Sequence, residues 1–211
     1  MIVFDASSSM AMLDTGRRRI DIARNAIAKV LPEITRYRAT GLVIYSGGGG
    51  PHCTDVRLEV APRLGNTRNI LSALGKVQPS GATPLSNAVE LAAETLAQLG
   101  SPGIVVLITD GLENCFRDAC QLAQELKRAR TNVRVHVIGF YMDNEPSEPV
   151  ACLSNATGGT FVHANSAESL QMALRRILGC NRIAGTYSSP RQAASIRPLK
   201  PKFGTIVRRP R

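Results

Sequence analysis

Apolar positions along residues 1–180 follow two different periods, and the two alternate. Short runs rich in Val, Ile and aromatic residues, Ile2–Phe4, Thr40–Tyr45, Arg57–Val60, Ile104–Thr109, Val133–Tyr141 and Gly159–His163, predict strands. Between them lie stretches with a 3.6-residue apolar stripe that predict helices over Arg17–Leu31, Thr67–Lys76, Pro84–Gln98, Arg117–Arg130, Pro149–Thr157 and Ala167–Leu178. In the third of these, Leu85, Ala88, Val89, Ala92 and Leu96 form the stripe, Thr83 is the expected N-cap, Pro84 fits the first turn, and Gly100 marks the end. The last has Ser166 as its expected N-cap, Glu168 in the first turn and Arg175 and Arg176 in the last, as the helix dipole favours. The run Gly103–Ile108 is apolar at every position, as a parallel strand covered on both faces requires. The strands starting near Ile2, Ile104 and Val133 are therefore expected to be central, with Arg57–Val60 as an antiparallel edge. The pattern predicts an α/β fold: a doubly wound, mostly parallel six-stranded sheet with helices on both faces, in one domain over residues 1–180.

In an open parallel sheet the functional crevice lies beyond the carboxyl ends of the strands. The first strand runs into Asp5-Ala6-Ser7-Ser8-Ser9, the central strand into Thr109-Asp110-Gly111, and the Pro84 helix is entered through Ser80-Gly81-Ala82-Thr83. What gathers there is two carboxylates and three hydroxyls, without sulfur or imidazole, which suits a hard cation: Mg²⁺, with Mn²⁺ or Ca²⁺ as alternatives. Neutral hydroxyl ligands would leave such a metal electron-poor and ready to accept an external carboxylate. The competing readings are enzymatic. An aspartate straight after a first strand also opens the haloacid-dehalogenase-type phosphatases, with Asp5 as nucleophile, but their second aspartate is Ser7 here. A metal-assisted phosphohydrolase needs a general base, for which Glu113 is the obvious candidate and a solvated loop or first-turn role the plainer reading. The run Gly47-Gly48-Gly49-Gly50 lacks the Gly-Lys-Ser/Thr of a phosphate loop and reads as a flexible loop. His52, His136 and His163 are scattered and read as core or edge positions.

At Asp5, Ser7, Ser9, Thr83 and Asp110 the sequence resembles the von Willebrand factor type A family, whose metal-ion-dependent adhesion site is written Asp-x-Ser-x-Ser, a distant Thr, then an Asp. The likeness extends over about Met1 to Gly179 and includes Gly81-Ala82-Thr83-Pro84-Leu85, Ile108-Thr109-Asp110-Gly111 and Ala156-Thr157-Gly158-Gly159. It is nearest to bacterial members that carry cysteines after the Thr-Asp-Gly strand. The resemblance implies metal-dependent binding of a protein partner that offers a Glu or Asp carboxylate, with no catalysis. It places Ser7, Ser9 and Thr83 as direct metal ligands, with Asp5 and Asp110 acting through metal-bound water or directly. Two departures are visible: the family usually has Gly at the position of Ser8 and a longer lead into the first strand.

The same resemblance implies two disulfides among Cys53, Cys115, Cys120 and Cys152, and with them an oxidising periplasmic or extracellular compartment. Three pairings are open, and one of them, Cys115 with Cys152, would brace the loop beside the metal residues. Cys180 is left over. No n-region, h-region and cleavage site precede the first strand, so the alternatives are a cytoplasmic protein or a start further upstream.

Hydrophobic residues make up 44% of 211 residues, enough to build a core and to exclude wholesale disorder, while the apolar runs are too short for a membrane span. The net charge of +10 changes the picture only at one end. Residues 181–211 hold eight basic residues, four prolines and no acidic residue, leaving eighteen basic against sixteen acidic before them. That segment predicts an extended basic tail that would contact a polyanion weakly, without specific nucleic-acid recognition. A tethering module acting through this tail, with an idle metal site, is the alternative function.

Overall fold

The computed structural model describes residues 1–49, 53–100, 102–129, 132–142 and 148–179; the basic tail, Cys180 and His52 lie outside them. Along these residues run β1 (Ile2–Asp5), β2 (Leu13–Asp14), β3 (Arg17–Arg18), α1 (Arg19–Ile34), β4 (Thr40–Tyr45), β5 (Val56–Arg63), α2 (Thr67–Lys76), α3 (Leu85–Ala97), β6 (Gly103–Thr109), α4 (Ala119–Arg128), β7 (Val133–Phe140), α5 (Glu148–Thr157), β8 (Phe161–Ala164) and α6 (Ala167–Leu178). Six of the strands form one sheet in the order β5-β4-β1-β6-β7-β8. All neighbours are parallel except β5, which runs antiparallel to β4 at the edge. β1 lies between β4 and β6, with Phe4 opposite both Ile44 and Ile108. The strand order reverses at β1 and β6, so their carboxyl ends open the crevice where ligands of such sheets bind.

The side-chain alternation of each strand divides the core in two. Ile2, Phe4, Leu42, Ile44, Val106, Ile108, Ile138 and Phe140 face α1, α2 and α6. Val3, Val43, Tyr45, Val105, Leu107, Val135 and Val137 face α3, α4 and α5. Burial on both faces is why β1, β4 and β6 read as continuous apolar runs. Among the described residues no helix is long and apolar enough to cross a membrane.

Three local expectations need correction. The first helix begins at Arg19, because Arg17 and Arg18 pair with Asp14 and Leu13 in a small hairpin whose turn residues Thr15 and Gly16 have φ of 52° and 79°. Both central residues in the left-handed region is the signature of a type I′ turn. α1 also continues past Pro32 to Ile34; Pro32 lies in the last turn, where it removes one backbone bond while Leu31 and Ile34 stay buried. Thr83 does not cap α3. The helix starts at Leu85 after Pro84, and the Ser86 N–H donates to Glu113 Oε2 at 2.8 Å. Glu113 is a half-buried loop residue, and its carboxylate, from the β6–α4 loop, supplies the negative charge that the α3 N-terminus favours. Ser166 does cap α6, its hydroxyl accepting the Ser169 N–H at 3.1 Å.

Candidate metal centre

β1 ends in Asp5, and the chain then turns through a short 3-10 helix at Ser8–Ala11. Asp5 sets that turn: its Oδ1 accepts the Ser7 N–H at 2.8 Å and its Oδ2 accepts the Thr109 hydroxyl at 2.7 Å. Thr109 in turn accepts the Tyr45 hydroxyl at 3.1 Å, so β4, β6 and β1 are tied together at their carboxyl ends. From this base a line of oxygens crosses the rim. Ser7 Oγ and Ser9 Oγ are 3.0 Å apart, and Ser9 Oγ donates to Asp110 Oδ1 at 2.6 Å. The Ser8 N–H donates to Gly81 O at 3.1 Å and brings in the loop that carries Thr83. Thr83 itself is held by its N–H, which donates to Asn114 Oδ1 at 2.6 Å, and its hydroxyl makes no hydrogen bond among the described residues. Four of the five expected residues therefore share one hydrogen-bonded chain, and the fifth, Thr83, lies on the loop that Ser8 holds through Gly81.

Ser8, where the resemblance expects Gly, is not among the residues of positive φ; the position does not demand glycine, and the Ser8 hydroxyl donates to Gly81 O. Gly50 lies outside the described residues, and the described part of the glycine run after β4 turns its first donors inward. Gly47 N–H donates to Ser80 O and Gly48 N–H to Asp55 Oδ2, so these donors are already committed within the chain. His136 lies within β7 bonded to Thr160 and His163 on the edge strand β8, as expected for structural histidines.

Asp5 and Asp110 are both buried, and burial together with the charge of Asp5 pushes the Asp110 carboxyl up to about 6, against the opposing pull of Ser9 and Arg19. The Arg19 contact was not legible beforehand: Arg19 Nη1 donates to Asp110 Oδ2 at 3.0 Å, across 91 residues of sequence. Because the folded chain holds the Asp110 proton more tightly than the ordinary value of 3.8, its contribution to stability is full below pH 4 and is lost as pH rises towards about 6. In metal-free buffer the Asp110→Asn variant should therefore gain on the wild type across that window. Urea unfolding at pH 4 and pH 6.5 checks this, and a constant difference between the two proteins would contradict it.

The cysteines form two disulfides. Cys53 bonds Cys115 and Cys120 bonds Cys152, with Cα atoms 5.4 and 5.0 Å apart. The Cys115–Cys152 pairing is thus overturned: Cys115 staples the β6–α4 loop to the β4–β5 loop, and Cys152 on α5 ties to the start of α4. The rim is still braced, by a different bond. Next to it Phe116 has φ of 63° and is fully exposed, fixed between Cys115 and an Arg117 that pairs with Glu90.

A doubly wound, mostly parallel sheet with hydroxyls and carboxylates gathered at its switch point defines the class, an α/β domain of Rossmann-like architecture. Residues 1–113 match the sequence profile of the von Willebrand factor type A domain, and the chain belongs to that family. The uncharacterized protein YwmD of Bacillus subtilis is 27% identical over 186 residues, which cover 82% of this chain and 81% of YwmD. Among solved structures, an aerotolerance-related membrane protein from Bacteroides fragilis superposes with a TM-score of 0.63 at 18% identity, covering 84% of this chain and 96% of that one. Proximal thread matrix protein 1 from the mussel byssus, with a zinc-occupied metal-ion-dependent adhesion site, gives 0.62 at 17% identity over 84% of this chain and 44% of its own.

Proposed function

We propose that this domain binds a protein partner through a divalent cation, Mg²⁺ or a similar hard ion, held at the rim by the hydroxyls of Ser7, Ser9 and Thr83. The observation that carries the reading is the hydrogen-bonded chain from Asp5 through the Ser7 N–H and the hydroxyls of Ser7 and Ser9 to Asp110 at the switch point of the sheet. The donor set fits: it is all oxygen, and the Thr83 hydroxyl makes no hydrogen bond among the described residues. The cation would supply a Lewis-acidic point for the carboxylate of an acidic residue on the partner. The remaining work falls to the protein. Both oxygens of Asp5 are spent on Ser7 and Thr109, which suits a carboxylate that shapes the loop and steadies metal-bound water more than a nucleophile. Glu113 accepts the Ser86 N–H at the start of α3 and the Cys115 N–H, which suits a carboxylate that holds the loop beside the site in place. A zinc-occupied site of the same type in the mussel protein supports the metal. The two disulfides support an oxidising compartment, periplasmic or extracellular.

The test is thermal unfolding in EDTA and in saturating Mg²⁺ or Mn²⁺. A cation at about a hundred times its Kd adds about 2.7 kcal/mol, which for a domain of this size raises Tm by about 5 to 10 °C. Thr83→Ala and Asp110→Ala should abolish the shift. A shift that survives in both variants, or none in the wild type, would overturn the reading.

A further inference from the structure

Resting on that metal reading, we propose that Arg19 is a tethered cation that competes with the divalent ion for Asp110, and that Asp14 sets how strongly it competes. Three separate elements converge on this one guanidinium. Its Nε donates to Asp14 of the β2–β3 hairpin at 2.5 Å, its Nη1 donates to Asp110 at the rim at 3.0 Å, and its carbon lies 5.3 Å from the ring centre of Tyr141 just after β7. The pair with Asp110 is not a casual surface contact, since the Asp110 side chain is wholly buried and that of Arg19 only 14% exposed. Tyr141 is held at φ 57°, a costly conformation for an aromatic residue, and its N–H is anchored on Ala164 O at 2.8 Å. Backbone strain that places a ring against a single cation marks that cation's position as over-determined.

The consequence follows from charge. With Ser9 on one oxygen of Asp110 and Arg19 on the other, the carboxylate is already satisfied by a fixed positive group. A divalent cation bound among Ser7, Ser9 and Thr83 meets that charge at close range, in a partly buried setting that screens it poorly. Arg19 therefore lowers the affinity of the site while keeping its acidic floor stable without metal. Asp14 holds the other side of the guanidinium. A stronger hold by Asp14 relaxes the claim on Asp110, so a ligand on the hairpin that engaged Asp14 would weaken metal binding, and by reciprocity metal would weaken that ligand.

The experiment is titration of chelator-treated protein with Mn²⁺, read by the electron paramagnetic resonance of the free ion, for the wild type, Arg19→Gln and Asp14→Asn. Removing the tethered charge should lower the Mn²⁺ Kd about tenfold, whereas Asp14→Asn, which leaves Arg19 to Asp110 alone, should raise it. A purely structural role would weaken binding in both variants, so the opposite signs are the signature. Arg19→Gln should also unfold at a lower temperature in EDTA and gain more from Mn²⁺ than the wild type does. If Arg19→Gln does not fold, Arg19→Lys, which keeps the charge but cannot reach Asp14 and Asp110 together, takes its place beside Asp14→Asn: weaker binding by Asp14→Asn with an unchanged Tm in EDTA supports the proposal, whereas unchanged or tighter binding there, or weaker binding that goes with a lower Tm in EDTA, overturns it. Wild-type binding with equal or weaker binding by Arg19→Gln overturns this inference alone. Absence of Mn²⁺ binding from all three proteins overturns the metal reading as well.

Discussion

Reduction of the two disulfides should cost this domain most of its stability. The bonds close loops with sequence separations of 62 and 32 residues. Loop-closure entropy assigns each about 4 kcal/mol, against a total stability of about 5 to 15 kcal/mol for a typical domain. Each bond removed alone should lower Tm by about 8 to 15 °C, and both together should leave the chain close to unfolding at 37 °C. The two bonds should differ in what they do to the rim. Cys53–Cys115 joins loops on either side of β1, and Cys53 O accepts the Asn87 Nδ2–H, whose side chain also receives Arg117. Cys120–Cys152 joins two helices on one face. The paired Cys53→Ser and Cys115→Ser variant should therefore lose Mg²⁺-induced stabilisation as well as Tm, while the Cys120→Ser and Cys152→Ser pair should lose Tm alone. Thermal unfolding of each pair with and without Mg²⁺ checks both statements. Little change in Tm on reduction would mean that the unfolded chain is not appreciably restrained by these links.

The proposed binding role can be set against what surrounds the rim. Phe116, fully exposed and held by the Cys115 linkage beside the Asn114 that positions Thr83, is the aromatic contact that the proposed partner would meet next to the candidate metal residues. Met12 and Leu13, on the hairpin side, are 55% and 68% exposed. Exposed apolar groups on both sides of a polar centre are the usual composition of a binding surface with a desolvated anchor.

The strands could be read from the chain because burial on both faces writes itself as uninterrupted apolar runs such as Ile104–Ile108. Ser7 and Ser9 could be read because they follow a strand locally, and Asp110 because it ends another. What escaped was everything set by distant partners. Arg19 lies at the start of a helix and would pass for a surface charge; only the fold reveals Asp110 beside it. Tyr45 and Thr109 looked like ordinary strand residues, yet they hold Asp5 through contacts that join three strands. The α3 cap comes from Glu113, 27 residues downstream of the N–H it serves, so no local cap signal could have found it. The β2–β3 hairpin has two residues per strand, too few to show alternation, and only Thr15-Gly16 hints at it. Cysteine pairing depends on which loops meet at the rim and which helices pack side by side, and spacing does not carry that information.

Two adjacent glycines should separate the two reasons a chain needs glycine. Gly158, just past α5, has φ of 74° and open space around its Cα; Gly159 N–H returns to Ser154 O at 2.8 Å. This is a helix end closed by a left-handed residue with a six-to-one backbone bond. Ala at Gly158 should cost about 1 kcal/mol, the penalty of a Cβ in that region. Gly159 is different. A Cβ there would lie 1.9 Å from Val135 O and 2.6 Å from Val135 C, so the chain entering β8 would have to move away from β7. Thr160 O accepts the Val137 N–H and Thr157 Oγ1 the Val135 N–H, and both bonds would be strained by that movement. Ala at Gly159 should cost about 3 kcal/mol or more. The loss should also reach the rim, because β8 supplies Ala164 O, which fixes Tyr141 under Arg19. Urea unfolding of the two variants tests the distinction, and equal losses at both positions would show that β7 and β8 separate without cost.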